Sequence, residues 1–154
     1  MSVFDSSLTS KTYIEIPKWD GSTKKYPTWF KQMSSFYSQT GCGSLLGSCP
    51  NAPKKLITAT ERDWLALRIE LEKDDEKKAK LKAELQYCQL NDKAFGNLSH
   101  SIDTTSVKGK YVYDLVANFQ DEDFPGGKFK EAWDKIRKIY ERKDKLRVIS
   151  YEDK

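Results

Sequence analysis

The sequence predicts an all-α fold, a compact bundle of about five helices preceded by a short extended N-terminal arm. Apolar side chains recur at the i, i+3, i+4, i+7 spacing in several windows, which indicates amphipathic helices. No proline or glycine interrupts the chain from Glu61 to Phe95, and no set of segments has the turns and alternation of a sheet. The 154 residues suit one domain, and four tryptophans, eight tyrosines and seven phenylalanines supply its core.

The first part of the chain predicts an arm and one helix. Residues 1–12 are rich in Ser and Thr, which favours a flexible arm, and Tyr13–Trp19 has the alternation of a short extended segment that Pro17 interrupts. Pro27 is typical of a first helical turn, and Gly41 is a predicted C-cap. The apolar face of this helix consists of Trp29, Met33, Phe36 and Tyr37.

The middle of the chain predicts a loop and then one long helix, or two helices with a break. Between Cys42 and Thr58 only Leu45 and Leu46 can form a short turn before two prolines. Thr60 and Asp63 resemble a capping box at the start of the helix. Trp64, Leu67 and Leu71 form an apolar stripe, the polar segment EKDDEKKAK follows, and burial is predicted to resume at Leu81, Leu85, Cys88, Phe95, Leu98 and Ile102.

The last part predicts two further helices. Tyr111, Val112, Leu115, Val116 and Phe119 fit a short amphipathic helix, and the DEDFPGG loop follows it. The final helix buries one face, which comprises Phe129, Ala132, Trp133, Ile136, Ile139 and Tyr140. Acidic residues precede this helix, and Arg142, Lys143 and Lys145 crowd its predicted C-terminus near Asp144, so the charges complement the helix dipole at both ends.

The residue inventory argues against catalysis, metal binding and a bound cofactor. Cys42, Cys49 and Cys88 lack a CxxC spacing and are interpreted as free thiols, and His100 is the sole histidine. The glycines near residue 43 miss the dinucleotide-binding spacing, and a Walker loop is absent. We expect no enzyme, no cofactor, no metal site and no small-molecule substrate. The lack of a signal peptide or apolar span predicts a cytoplasmic protein that does not enter a membrane.

The C-terminal part carries most of the positive charge. The whole chain has a net charge of +4, and Lys128–Arg147 contains nine Lys and Arg residues against four Asp and Glu residues. Such a cluster is either a solvated helix face or a surface that contacts phosphates. The candidate RNA-contact residues are Lys135, Lys138, Arg142, Lys145 and Arg147.

Two short motifs and one longer pattern carry a family resemblance. Near the N-terminus, IPKWDGSTKKYPTWFKQMSSF supplies Trp19, Asp20, Gly21, Tyr26 and Trp29. In the middle, Trp64 is followed by a lysine-rich polar segment and a leucine-rich end. At the end, the matching residues in order are Asp123, Phe124, Pro125, Gly126, Ala132, Trp133, Tyr140, Glu141 and Lys143. Over residues 16–147 the chain resembles the N-terminal part of the Gag polyprotein of copia-type LTR retrotransposons.

The resemblance implies a fold like that of a retroviral capsid N-terminal domain, and a structural function. Gag proteins of this kind self-assemble into capsid-like particles that enclose the element's RNA. It implies one helical domain over residues 13–147, with residues 148–154 as a tail or truncation point, and RNA binding that needs sequence beyond Lys154. The alternative is a domesticated or truncated Gag-derived module that binds a longer Gag or RNA without catalysis. The four tryptophans are predicted to lie in the core.

Overall fold

The described residues of the computed structural model form five α-helices. The structure describes residues 15–46 and 56–152, with side chains described as far as residue 143. The helices are α1 (Tyr26–Gln39), α2 (Ala59–Leu71), α3 (Asp75–His100), α4 (Val107–Ala117) and α5 (Phe129–Glu152), with a 3-10 turn at Gly43–Leu45. The described residues contain no strand, so the predicted all-α class is confirmed. The predicted flexible arm at residues 1–12, and Cys49, lie outside the described residues.

Helix α1 begins and ends where its sequence predicts. Pro27 lies in the first turn, where its missing N–H costs no helical hydrogen bond. Thr40 is the C-cap, and Gly41 follows with a φ of +86°, the left-handed conformation that glycine adopts without strain. The buried face of α1 comprises Tyr26, Trp29, Met33, Phe36 and Tyr37.

The long polar segment in the middle contains a break. Helix α2 ends at Leu71, Glu72 has an extended backbone, and α3 begins after Asp74, whose carboxylate accepts a hydrogen bond from the Glu76 N–H at 3.0 Å. A short acidic side chain competes well as an N-cap, which favours a new start at this point. The alternative of two helices is therefore the observed one.

The capping box of α2 differs from the predicted one. Thr58 and Glu61 form it: the Glu61 N–H donates to the Thr58 hydroxyl and the Thr58 N–H donates to the Glu61 carboxylate, both at 3.2 Å. The predicted pair, Thr60 and Asp63, lies inside the helix. Glutamate at the third helical position has the length to reach back to the N-cap, and aspartate is shorter.

The predicted apolar stripe of α2 is solvent-exposed, which corrects the prediction that Trp64 lies in the core. The exposed fractions are 66% for Trp64, 49% for Leu67 and 78% for Leu71. Helix α2 instead buries Leu65 and Ile69, which pack with Leu81 of α3 in a small cluster separate from the main core. Residue 65 is rotated about 100° from residue 64 on a helix, so only one of the two stripes can face α3.

The main core is an aromatic cluster that joins the N-terminal segment, α1 and α5. Trp19 stacks on Trp29 with ring centroids 4.5 Å apart and meets Tyr140 edge-on at 4.8 Å. Trp29 lies 5.7 Å from Trp133. The backbone of Trp19 is held beside the end of α3, because its N–H donates to the Ser101 carbonyl at 2.9 Å and its carbonyl accepts from the Asp103 N–H at 2.8 Å.

Helix α5 is longer than predicted and continues to Glu152. Arg142 and Lys143 therefore lie within the helix, and the interpretation that they complement the dipole at its C-terminus is wrong. No proline or glycine follows Gly127, so no residue with a strong preference for ending a helix is present near Asp144. Basic residues alone do not mark a helix end.

Candidate functional site

A basic face on α5 is the first candidate site. Lys135, Lys138 and Arg142 are exposed, and their i, i+3, i+7 spacing places them on one side of the helix, opposite the buried Trp133, Ile136 and Tyr140. They span about 10 Å along the helix axis, at about 1.5 Å per residue. Lys145 and Arg147 continue the same helix, but their side chains lie outside the described residues.

The other α5 cations with described side chains have partners. Arg137 pairs with Glu141 at 3.1 Å and lies 5.5 Å from the Phe30 ring centroid. Lys130 pairs with Asp134 at 3.3 Å, and Lys143 lies over the Tyr140 ring at 5.0 Å. Among the described side chains, no carboxylate lies within ion-pair distance of the three exposed cations on the basic face. Those three can meet a phosphate without first losing a protein partner.

The loop before α5 is fixed by a buried side chain of α3. The Asn91 side chain is almost fully buried, at 4% exposure. Its amide group donates to the Gly127 carbonyl at 2.7 Å, and its oxygen accepts from the Phe129 N–H at 2.9 Å. A side chain from another helix therefore caps α5, because the first N–H groups of a helix lack partners within it.

Glycines and an ion pair complete this junction. Gly127 has a φ of +84°, and a Cβ there would lie 2.3 Å from the Phe95 ring. A Cβ at Gly126 would lie 2.1 Å from the Asp92 carboxylate, and Arg62 donates two hydrogen bonds to that carboxylate at 2.5 and 2.9 Å. The hydrogen bonds that Arg62 donates to Asp92 raise the pKa of the Arg62 guanidinium. Because Gly126 and Gly127 have no Cβ, the loop can pack closely on α3. This structural role explains both glycines without a phosphate-binding function.

The residues on which the family resemblance rests, the landmark residues, fall into two groups in the structure. Trp19, Trp29, Trp133 and Tyr140 are buried in the aromatic cluster. Pro125 is exposed in a turn that the Gly127 N–H closes on the Phe124 carbonyl at 2.9 Å, and Trp64 is exposed on α2. The structure therefore brings together the landmarks from the two ends of the chain and separates the middle one from them.

The buried titratable groups lie within the core. Tyr37 donates its hydroxyl to the Ala94 carbonyl at 2.8 Å, and burial raises its pKa. Cys42 and Cys88 are free thiols in the interior, and burial raises the pKa of Cys42. A buried thiol with a raised pKa, such as that of Cys42, is a poor nucleophile. Within residues 15–46 and 56–143 no three His, Cys, Asp or Glu side chains are grouped as metal ligands would be.

Comparison with known proteins gives no family assignment for this chain, and the described helices give no membrane assignment. Comparison of the chain with protein-family models, with curated proteins and with solved structures finds no match. No helix in the described part of the chain is long and apolar enough to cross a membrane.

Sequence reasoning missed Asn91 and the exposed face of α4. Asn91 has the core spacing of its neighbours, three residues after the buried Cys88 and four before the buried Phe95. A polar residue in such a stripe signals a buried side chain with specific partners. On α4, Val107 is 88% exposed and Tyr111 is 56% exposed, although the pattern predicted Tyr111 on the buried face. The observed buried face instead contains Gly109, Val112 and Val116.

Proposed function

We propose that this chain is a structural capsid domain of a retrotransposon Gag protein, which self-associates in the cytoplasm into particles that enclose RNA. The observation that carries the proposal is the contact between the two specific Gag-like motifs. Trp19 and Trp29 of the N-terminal motif pack against Tyr140 and Trp133 of the C-terminal motif. Residues more than a hundred positions apart thus form one core, as expected if the motifs are parts of one ancestral fold.

The mechanism that fits this proposal is repetition of weak contacts and no catalysis. An interface below about 1,200 Å² is weak by itself, but a symmetric array makes many such contacts at once. The chain has apolar side chains on the outside of α2 and α4 that such contacts can cover. The basic face of α5 would contact the enclosed RNA.

Self-assembly can be tested directly on the purified chain. Light scattering over a rising protein concentration, with and without single-stranded RNA, measures the mean particle mass, and negative-stain microscopy shows the particles. We expect a mass that grows with concentration and discrete rings or shells. A strict monomer up to millimolar concentration, with and without RNA, would contradict the capsid proposal.

The second candidate is a Gag-derived binding module that associates with a longer Gag or with RNA. The cations of the basic face, which have no ion-pair partner among the described side chains, favour this candidate as much as they favour the first. The two candidate functions predict different stoichiometries. A binding module stays monomeric and forms a defined complex with RNA, whereas a capsid domain forms closed assemblies in which each copy contacts several others.

A further inference from the structure

Two apolar faces on different helices leave large side chains in solvent. The α2 face consists of Trp64, Leu67 and Leu71, and the α4 face consists of Val107 and Tyr111. Together the three side chains of the α2 face expose on the order of 400 Å² of mostly apolar surface, a size at which surface patches commonly mark interaction sites. Exposure of this apolar surface to water is unfavourable in free energy, so covering it would stabilise the protein. The rest of the sequence is rich in charged residues.

The two faces differ in shape. On α2, the Trp64 ring projects from the helix with two thirds of its surface exposed. On α4, Val107 and Tyr111 line a depression of about 360 Å³, together with Lys110, Asp114 and residues 104–106. One face therefore offers a protruding indole, and the other offers a shallow, open depression against which a ring can pack.

The two faces also differ in charge. Glu61, Asp63 and Glu70 surround the α2 face, against one arginine, Arg68. The α4 face has Lys108 and Lys110 against Asp114, and Asp103 lies at its edge, where its carboxylate accepts hydrogen bonds from Thr105. In a contact between two α2 faces, net negative charge would face net negative charge. A contact between an α2 face and an α4 face brings the acidic side chains of α2 to a face that carries two lysines and two carboxylates. It avoids the repulsion between two α2 faces, which disfavours the self-paired alternative.

We propose that the occupant of each face is a second copy of this chain, with Trp64 of one copy seated in the depression beside Val107 and Tyr111 of the next. This inference rests on the proposed self-assembly and names the surfaces that perform it. A pair of copies keeps one unused α4 face on the first copy and one unused α2 face on the second, so the contact is heterologous and propagates into rings or arrays. The contact buries less area than a standard interface of about 1,600 Å², so it is weak as a single contact.

Two double variants and one control test this contact by sedimentation velocity over a range of concentrations. Trp64→Gln with Leu71→Gln changes the α2 face, and Val107→Gln with Tyr111→Gln changes the α4 face. The control is Tyr113→Gln, an aromatic residue 41% exposed on α4 that does not line the depression. All these side chains are exposed, so the fold should persist, and thermal melting followed by circular dichroism checks that it does.

We expect each double variant to weaken self-association at least tenfold, and the control to associate like the wild type. An equimolar mixture of the two double variants should form a one-to-one dimer and nothing larger, because one intact face of each kind remains. If either double variant associates as tightly as the wild type, the proposed contact is wrong. If the mixture forms no dimer, or if the α4-face variant dimerises by itself, the faces do not pair as proposed and the contact is wrong. If the wild type itself stays monomeric, the capsid proposal fails together with this contact.

Discussion

Trp133 is a central side chain of the aromatic core. It is 2% exposed and lies 5.3 Å from the Phe30 ring centroid and 5.5 Å from that of Tyr37. Because large-to-small changes leave a cavity in addition to the lost burial, we expect Trp133→Ala to lower the free energy of unfolding by about 3 to 5 kcal/mol. Denaturant unfolding followed by fluorescence of the remaining tryptophans measures the change.

Trp64→Ala is the matched control, because it removes the same side chain from an exposed position. We expect it to change the free energy of unfolding by less than about 1 kcal/mol. Equal losses from the two variants would contradict the assignment of one tryptophan to the core and the other to the surface.

At the residue scale, periodicity identified most of the core. The predicted faces of α1 and α5 contain Trp29, Met33, Trp133 and Ile136, and the structure buries all four. Trp64 was misassigned because α2 has two stripes of comparable hydrophobicity, and the sequence of one helix does not say which stripe its neighbour covers. The role of Asn91 depends on atoms of Gly127 and Phe129, so the contacts become visible only in three dimensions.

The turn into α5 depends on glycine at one position. Gly127 combines a φ of +84° with contact against the Phe95 ring. We expect Gly127→Ala to lower the free energy of unfolding by at least about 2 kcal/mol, because the left-handed backbone alone costs about 1 to 2 kcal/mol for a residue with a Cβ. The steric overlap with Phe95 adds to this cost. Thermal or denaturant unfolding measures it.

Gly41 supplies the control for this element. It has a similar φ of +86°, but a Cβ there would meet no atom within 4 Å. Gly41→Ala should therefore show the backbone cost alone. If the alanine at residue 127 costs no more than the one at residue 41, the close packing of the loop on α3 is not important for stability.

Element boundaries were predictable where a residue has a strong local preference. Pro27 and Gly41 mark the ends of α1, and both act through their own backbone conformation. The break at Glu72–Asp74 and the extension of α5 to Glu152 have no such marker. The break follows from the Asp74 N-cap, which competes with continuation of the preceding helix. The extension of α5 follows from the absence of any proline or glycine after Asp144.

The basic face of α5 gives a prediction for the whole molecule. Changing Lys135, Lys138 and Arg142 together to Gln should weaken binding to single-stranded RNA at low salt. It should also make the slope of log K against log salt shallower by up to about 2, since each phosphate contact to a single strand contributes about 0.7. Fluorescence anisotropy with a labelled oligonucleotide, at several salt concentrations, measures both quantities.

A second triple variant controls for net charge. Lys77, Lys80 and Lys82 are exposed on α3, and changing them to Gln removes the same number of charges elsewhere on the molecule. This variant should keep the wild-type salt slope. If both triple variants lower the slope equally, only net charge matters and α5 holds no specific contact surface. An unchanged slope in the α5 variant would also exclude the basic face.

At the scale of the molecule, the sequence predicted the fold class and the motifs but not the surfaces. The all-α class followed from helical periodicity summed over many residues, which tolerates single errors such as Trp64. Which apolar side chains remain outside depends on how α2 and α4 rotate against α3 and α5. That rotation is set by packing between elements, for which one sequence contains no direct signal.

The small cluster of Leu65, Ile69 and Leu81 gives the chain two tiers of stability. Helix α2 buries only two residues of its own there, whereas α1 buries five in the aromatic core. A local opening can therefore release α2 from α3 while Trp19, Trp29 and Trp133 stay packed. The amide protons of α2 should then exchange with solvent before those of α1. Release of α2 would also break the hydrogen bonds from Arg62 to Asp92, so the exchange rates of α2 measure the combined strength of the small cluster and this ion pair.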